Sequence, residues 1–154
     1  MNDVIIRAAE LTDLDILHAF HQELVIAERP FDPTIKDGTV TYYNIAELIK
    51  SPDAGVYVAE LDAEVIGCGY AKLVKSKDYL KHAYHAHLGF MFVNPEHRGR
   101  GVNSKIIDVL KKWSLARGVT EIRLEVYAKN SSALKAYEKT GFAPHMLEMR
   151  LKLP

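Results

Sequence analysis

Apolar residues follow two different spacings along this chain, and the places where the spacing changes mark its elements. Val4, Ile5 and Ile6 form a short β-branched run, the composition of a strand. Leu14, Leu17, His21 and Leu24 then recur on one helical stripe, which predicts a helix over 13–28 with Thr12 as its cap. Arg29-Pro30-Phe31-Asp32-Pro33 ends it, because proline disfavours helical geometry in the residue before it. Lys36-Asp37-Gly38 reads as a turn, and a shorter helix is expected over 42–50, before Ser51-Pro52. The spacing then changes to that of strands. Residues 55–61 and 64–74 read as a hairpin around Asp62-Ala63, and Gly67 and Gly69 mark a bulge or a close approach in its second strand.

A polar loop over 75–81 leads to a long strand over 83–93. Val102, Ile106, Val109, Leu110 and Trp113 return to helical spacing, with Gly118 as a plausible cap after the last turn. Residues 121–127 read as a strand, Asn130 caps a further helix running through Thr140, and Gly141 stops it. Residues 146–153 alternate well enough for a final strand. The strands over 83–93 and 121–127 flank one helix, so they should be parallel neighbours with a right-handed crossover. The remaining pairs are hairpin-like and antiparallel. The expected class is therefore α+β, a mixed sheet with helices on its faces.

Composition narrows the function. The chain has 154 residues, enough for one domain over 1–154 with a real core. Its 20 Lys and Arg against 20 Asp and Glu argue against a nucleic-acid binder that works by bulk charge. No apolar run approaches the roughly 20 residues of a membrane span, and the first residues lack a signal-peptide pattern. Cys68 stands alone, which excludes an internal disulfide and fits a reducing cytoplasm. It sits in Gly-Cys-Gly with no adjacent base, so burial is expected rather than nucleophilic work, and Trp113 reads as core. His85 and His87 have no Cys, Asp or Glu nearby in sequence to complete a metal set, so no metal is expected.

The stretch with chemistry in it is Arg98-Gly99-Arg100-Gly101-Val102-Asn103, between a strand and a helix. A first helical turn exposes amides without internal partners, and the helix dipole adds positive charge there. Glycines let the backbone approach a ligand, and Arg98 and Arg100 supply charge-assisted donors. Such a turn is an anion site, and phosphate is its usual occupant. It spells neither a Walker loop nor the dinucleotide fingerprint.

This loop resembles the pyrophosphate loop Gln/Arg-x-x-Gly-x-Gly/Ala of the GNAT superfamily of N-acetyltransferases. Arg98 and Gly101 match, while Asn103 stands where the family has a small residue. Asn130-Ser131-Ser132-Ala133-Leu134-Lys135-Ala136-Tyr137-Glu138-Lys139-Thr140-Gly141-Phe142 is similar to the family signature Asn-x-x-Ala-x-x-x-Tyr-x-x-x-Gly-Phe. The resemblance implies a mostly antiparallel sheet with a central parallel pair, strands four and five, splayed to admit pantetheine. It implies acetyl-CoA as co-substrate and acetyl transfer to a primary amine of a small molecule or peptide. Met91, Phe92 and Val93 would run along the pantetheine arm. Arg98, Gly99, Arg100, Gly101, Val102, Asn103 and Ser104 would surround the pyrophosphate, with Asn130 at the mouth and Tyr137 as the acid for the leaving thiolate.

The base stays open. The family often has a glutamate where Gly89 stands; Glu125, His87, His85 and an ordered water are the substitutes. Glu23, Glu28, Asp32 and Asp37 would make the acceptor wall acidic, or merely keep the surface soluble, and Tyr42-Tyr43 would line the pocket or pack beneath it. A non-catalytic acyl-CoA sensor on the same fold is the alternative reading, and a homodimer is compatible with the family.

Overall fold

The tightest turn in the chain sets the sheet. Asp62 and Ala63 both take positive φ, 51° and 64°, the twist that joins adjacent antiparallel strands through two residues. They connect β2 (Ala54–Leu61) to β3 (Glu64–Lys75). β1 (Ile5–Ala8) and β4 (Tyr84–Val93) pair antiparallel on either side of this hairpin. The computed structural model describes residues 3–154, and among them the sheet runs β1-β2-β3-β4-β5. β5 (Ile122–Arg123) is parallel to β4, reached through helix α3 (Val102–Leu115) as the crossover pattern requires. The other helices are α1 (Leu14–Glu28), α2 (Ile45–Lys50) and α4 (Ser131–Lys139). None is long and apolar enough to cross a membrane.

Strand alternation divides the buried side chains between two cores. Under α1 and α2 lie Leu17, Phe20, Ile45, Val58, Tyr70, Phe90 and Phe92. On the other face, Ile106, Leu110 and Trp113 of α3 pack onto Ile66 and Leu88 of the sheet. Each such buried side chain contributes about 1.5–3 kcal/mol relative to exposure. Two glycines make the second core fit. A Cβ on Gly55 would stand 2.5 Å from Trp113 Nε1, and one on Gly69 would stand 2.6 Å from Met91 Sδ. The close approach expected at Gly69 is therefore real.

β4 carries the irregularity that matters most. Cys68 pairs with Phe92 and Tyr70 with Gly89, so two steps on β3 face three on β4. The extra residue is absorbed at Phe90, whose φ of 52° is a rare value for a bulky side chain. The bulge reverses the alternation. Leu88 points to the α3 core, yet Phe90, two residues on, points to the α1/α2 core. Cys68 lies beneath it, fully buried, with its thiol donating to the Phe90 carbonyl at 3.4 Å.

Several sequence expectations need correction. The strand expected over 121–127 is reduced to Ile122–Arg123, because beyond that pair the chain diverges from β4 and, among the described residues, no strand flanks its other edge. The strand expected over 146–153 finds no partner among the described residues, and every residue over 143–154 is exposed. α1 starts at Leu14, after a 3-10 turn over Leu11–Asp13. Thr12 does not cap it; Asp13 accepts from the Glu10 amide at 2.8 Å and also binds Arg7 at 2.9 Å. α2 begins at Ile45, not Tyr42, because Asn44 caps it by accepting from the Glu47 amide.

Candidate active site

The splay between β4 and β5 sits at the centre of the site. The pairing Ala86 to Ile122 and His87 to Arg123 is where the two strands meet. β4 continues to Val93 with its β5-facing edge open. Phe92 and Val93 turn their side chains inward, Phe92 against Phe20 at 4.7 Å between ring centres. Only their backbone is presented to a ligand. Met91 is half-buried and, with Phe90, drops out of the β3 ladder.

At the end of β4 the chain turns through Pro95–His97 into the glycine loop. Gly99 and Gly101 both have φ of 76°, and Gly101 is the residue that starts α3. Nothing lies within 4 Å of a Cβ built on either, so glycine is needed there for backbone conformation rather than for room. The first helical bond runs from the Lys105 amide to the Gly101 carbonyl at 3.1 Å. Among the described residues no acceptor meets the amides of Gly99, Arg100 or Gly101, and those of Val102, Asn103 and Ser104 open the helix. Val102 is buried and anchors the turn. Arg98 has a structural task that the sequence did not reveal. Its Nε donates to the Val93 carbonyl at 3.0 Å and its guanidinium lies over Phe92, tying the loop to the strand end. Arg100 is exposed.

α4 follows β5 after a six-residue connection and opens at Asn130, whose side-chain oxygen accepts from the Ala133 amide at 3.2 Å. Asn130 is thus a helix cap, as its sequence position predicted, and its amide NH2 is free of that duty. Tyr137 lies two turns further along, half-buried, edge-on to Phe142 at 5.9 Å. Burial, with the Glu28 carboxylate nearby, pushes its phenol up to about 12. It stays protonated at any working pH.

The family glutamate is missing from β4 for a steric reason. A Cβ on Gly89 would stand 2.3 Å from the Tyr70 hydroxyl. Tyr70 fills the space from the neighbouring strand, with burial and then Glu125 raising its pKa. Glu125 also acts on His87, whose pKa burial lowers and Glu125 raises. Tyr70, His87 and Glu125 therefore share one neighbourhood. Arg123, the partner that could have neutralised Glu125, pairs instead with Glu121 at 3.0 Å. His85 points elsewhere. It contacts Ser76 at 3.3 Å and stands five residues before the bulge, about 16 Å along the strand.

The acceptor side is built from tyrosines and acids brought together from distant parts of the chain. His21, fully buried in α1, accepts from the Tyr42 amide at 2.9 Å, which pins the segment before α2. Tyr43 packs edge-on to Tyr70 at 5.5 Å. The Tyr42 hydroxyl is buried facing Glu28 but meets no acceptor in hydrogen-bonding geometry. Burial raises the Glu28 pKa and Asp32 adds to that, while Tyr42 opposes it. The Tyr127 hydroxyl donates to Asp32 at 3.1 Å. Glu23 and Asp37, two of the acids expected on this wall, are exposed and take no part in these contacts. Tyr70 and Tyr127 carried no local signal in the sequence, because only the fold brings them to the splay. A concavity of about 520 Å³ lies at the far end of β4 beside His82 and Arg117 and contains none of these residues.

A sheet whose parallel pair parts above a glycine-rich helix start is the frame of an acyl-CoA-dependent transferase. The model of the "Acetyltransferase (GNAT) family" matches residues 17–142, and the chain belongs to that family. It is 30% identical over 126 residues to streptothricin acetyltransferase of Escherichia coli, across 82% of this chain and 65% of that protein, so it spans slightly under two thirds of that relative. A mutant BH1408 protein of Bacillus halodurans has the same fold, with a TM-score of 0.89 at 20% identity over 97% of this chain and 99% of that one. A predicted acetyltransferase of Clostridium acetobutylicum, solved with acetyl-CoA, gives 0.74 at 17% identity over 97% and 96%.

Proposed function

We propose that this chain is an N-acetyltransferase that moves an acetyl group from acetyl-CoA to a primary amine carried by a cationic small molecule, by direct attack in a ternary complex. The observation that carries the reading is the run of unpaired amides over Gly99–Ser104, set beside a β4 edge that β5 leaves open. The loop amides and the α3 dipole receive the pyrophosphate, with Arg100 free to add charge. The backbone of Met91, Phe92 and Val93 holds the pantetheine arm as a neighbouring strand would. Asn130 offers its amide NH2 at the mouth. Its distance from Tyr137, about 10 Å along the helix axis, spans the outer part of the arm.

The chain's own groups then manage protons and charge. The amine nitrogen attacks the thioester carbon, the C–S bond breaks, and the nitrogen gives up a proton. Glu125 or His87 takes that proton, directly or through a water. Phe90 and Met91, out of the ladder at the bulge, supply amide donors for the tetrahedral oxygen. Tyr137 faces the departing sulfur. A phenol near 12 is a weaker acid than a thiol near 8.5, so its main contribution is a hydrogen bond to the thiolate. Glu28, Asp32 and Glu125 favour a cationic acceptor, and the rings of Tyr42, Tyr43 and Tyr127 can face its charge. The similarity to an antibiotic acetyltransferase supports a small-molecule acceptor.

The test is thiol release from acetyl-CoA against a panel of amines, with calorimetry on the same protein. Binding with turnover is expected for polyamine-like or amino-sugar acceptors. Tyr137→Phe should lower turnover about 10- to 100-fold, a loss of about 1.4–2.7 kcal/mol in the barrier, with acetyl-CoA affinity nearly unchanged. Absence of acetyl-CoA binding would overturn the reading. Binding without release from any amine would favour a sensor of the same fold.

A further inference from the structure

Tyr70 belongs to β3, yet its hydroxyl is delivered to β4. Its partner in the ladder is Gly89, and a Cβ on that glycine would stand 2.3 Å from the phenol oxygen and 2.4 Å from Cζ. The end of the ring therefore lies over the bare backbone of β4, one residue before the bulge at Phe90. The ring is set edge-on against Tyr43 at 5.5 Å, and among the described residues no hydrogen bond holds the hydroxyl. Tyr70 keeps 6% exposure, an opening toward the site rather than a sealed core position.

The register says what stands across the gap. His87 pairs with Arg123 where β4 and β5 meet, so two residues further along each chain come Gly89 and Glu125. Ile122 and Leu124 pack into the α3 core, which by alternation turns Arg123 and Glu125 to the α1/α2 face. Tyr70 lies on that same face. The titratable groups around its hydroxyl are Tyr43 from the segment before α2, His87 on β4, Lys72 further along β3 and Glu125, with Glu28 of α1 beyond Tyr43. Among them Glu125 is the anion that acts on Tyr70.

We infer that the Tyr70 hydroxyl is the first proton carrier of the reaction, accepting a hydrogen bond from the attacking nitrogen and handing a proton to Glu125. This rests on the acetyl-transfer reading of the site. As the C–N bond forms, the nitrogen becomes strongly acidic. One N–H bond breaks and its proton passes to the phenol oxygen, while the phenol O–H bond breaks and its proton passes to a carboxylate oxygen of Glu125. Tyr70 ends as it began, Glu125 ends protonated, and the electron pair of the broken N–H bond stays on nitrogen. Burial, and after it the Glu125 charge, raises the Tyr70 pKa, so the phenol stays neutral and serves by passing a proton on rather than by keeping it. A carrier on β3 and an acceptor past β5 thus replace the single carboxylate missing at position 89.

Tyr70→Phe keeps the ring over Gly89 and removes only the oxygen. It should lower kcat about 10- to 100-fold, with acetyl-CoA affinity nearly unchanged. The loss should vanish in a Glu125→Gln background, because a carrier without its acceptor carries nothing; a purely structural tyrosine would multiply the two losses. A second readout needs no turnover. With an NMR label at Tyr70 alone, the phenol should titrate at lower pH in Glu125→Gln, a change at an exposed position, than in the wild type. Full activity in Tyr70→Phe, multiplied losses in the double variant, or a Tyr70 titration indifferent to Glu125→Gln would overturn the relay and leave acetyl transfer standing. A wild-type chain that releases no thiol with any amine would overturn the acetyl-transfer reading and the relay together.

Discussion

Tyr70 and Gly89 are understood only as a pair. The missing side chain at Gly89 makes room for a phenol from the next strand, near enough to Glu125 to feel its charge. In the proposed reaction the proton acceptor is therefore not at position 89, and the candidates are Glu125, two residues past β5, and His87, two residues back on β4. Glu125→Gln and His87→Asn separate the two candidates. Burial lowers the His87 pKa from 6.5, so if His87 is the base the acid limb of kcat/KM should lie below that value and vanish in His87→Asn. If Glu125 is the base, Glu125→Gln should reduce kcat about 100-fold and His87→Asn should leave the limb in place. Glu125 was legible as a candidate because it lies five residues before Asn130, at the start of the family-like segment. Tyr70 was not, since only cross-strand register reveals what faces Gly89.

At the scale of elements, the loop into α3 and the helix α4 were read directly, because their signals are local: glycine, cap and spacing. The bulge in β4 was not, since Phe90 carries no residue preference that announces a positive φ. β5 was overestimated because strand propensity counts residues, whereas a strand needs a neighbour. The loop's role can be tested with two glycines of the same conformation. Gly101→Ala and Gly118→Ala both force alanine to φ near 75°, and each should cost about 1 kcal/mol of stability. Only Gly101→Ala should weaken acetyl-CoA binding, by about 10-fold in calorimetry. Equal affinity in the two variants would remove the loop from the phosphate site.

For the molecule as a whole, acid sensitivity should follow its buried imidazoles. Burial lowers the pKa of His21, His85 and His87 in the folded state. The unfolded chain therefore takes up protons first, and the stability these groups contribute is complete above about 6.5 and declines as pH falls toward their folded values. The Arg7 pairing depresses Asp13, and that contribution persists to lower pH, disappearing only below the usual carboxylate range. Thermal unfolding from pH 7.5 to 4 should show the first decline, and His21→Gln should flatten part of it. An unchanged slope would mean His21 does not titrate with unfolding. The mixed sheet with helices on its faces was visible in the alternation of the sequence. The acidic, tyrosine-rich wall was visible only as scattered acids, because Glu28, Asp32 and Tyr127 meet through contacts up to 95 residues apart.

The place of Cys68 has a practical consequence for assaying the proposed reaction. It is the only cysteine, it is sealed beneath the β4 bulge, and burial holds its thiol well above the ordinary range. A disulfide dye added to a folded sample will find no sulfur on the protein itself. Any colour that develops reports coenzyme liberated by the reaction, and a slow background that appears on warming is a direct gauge of how often the sheet opens.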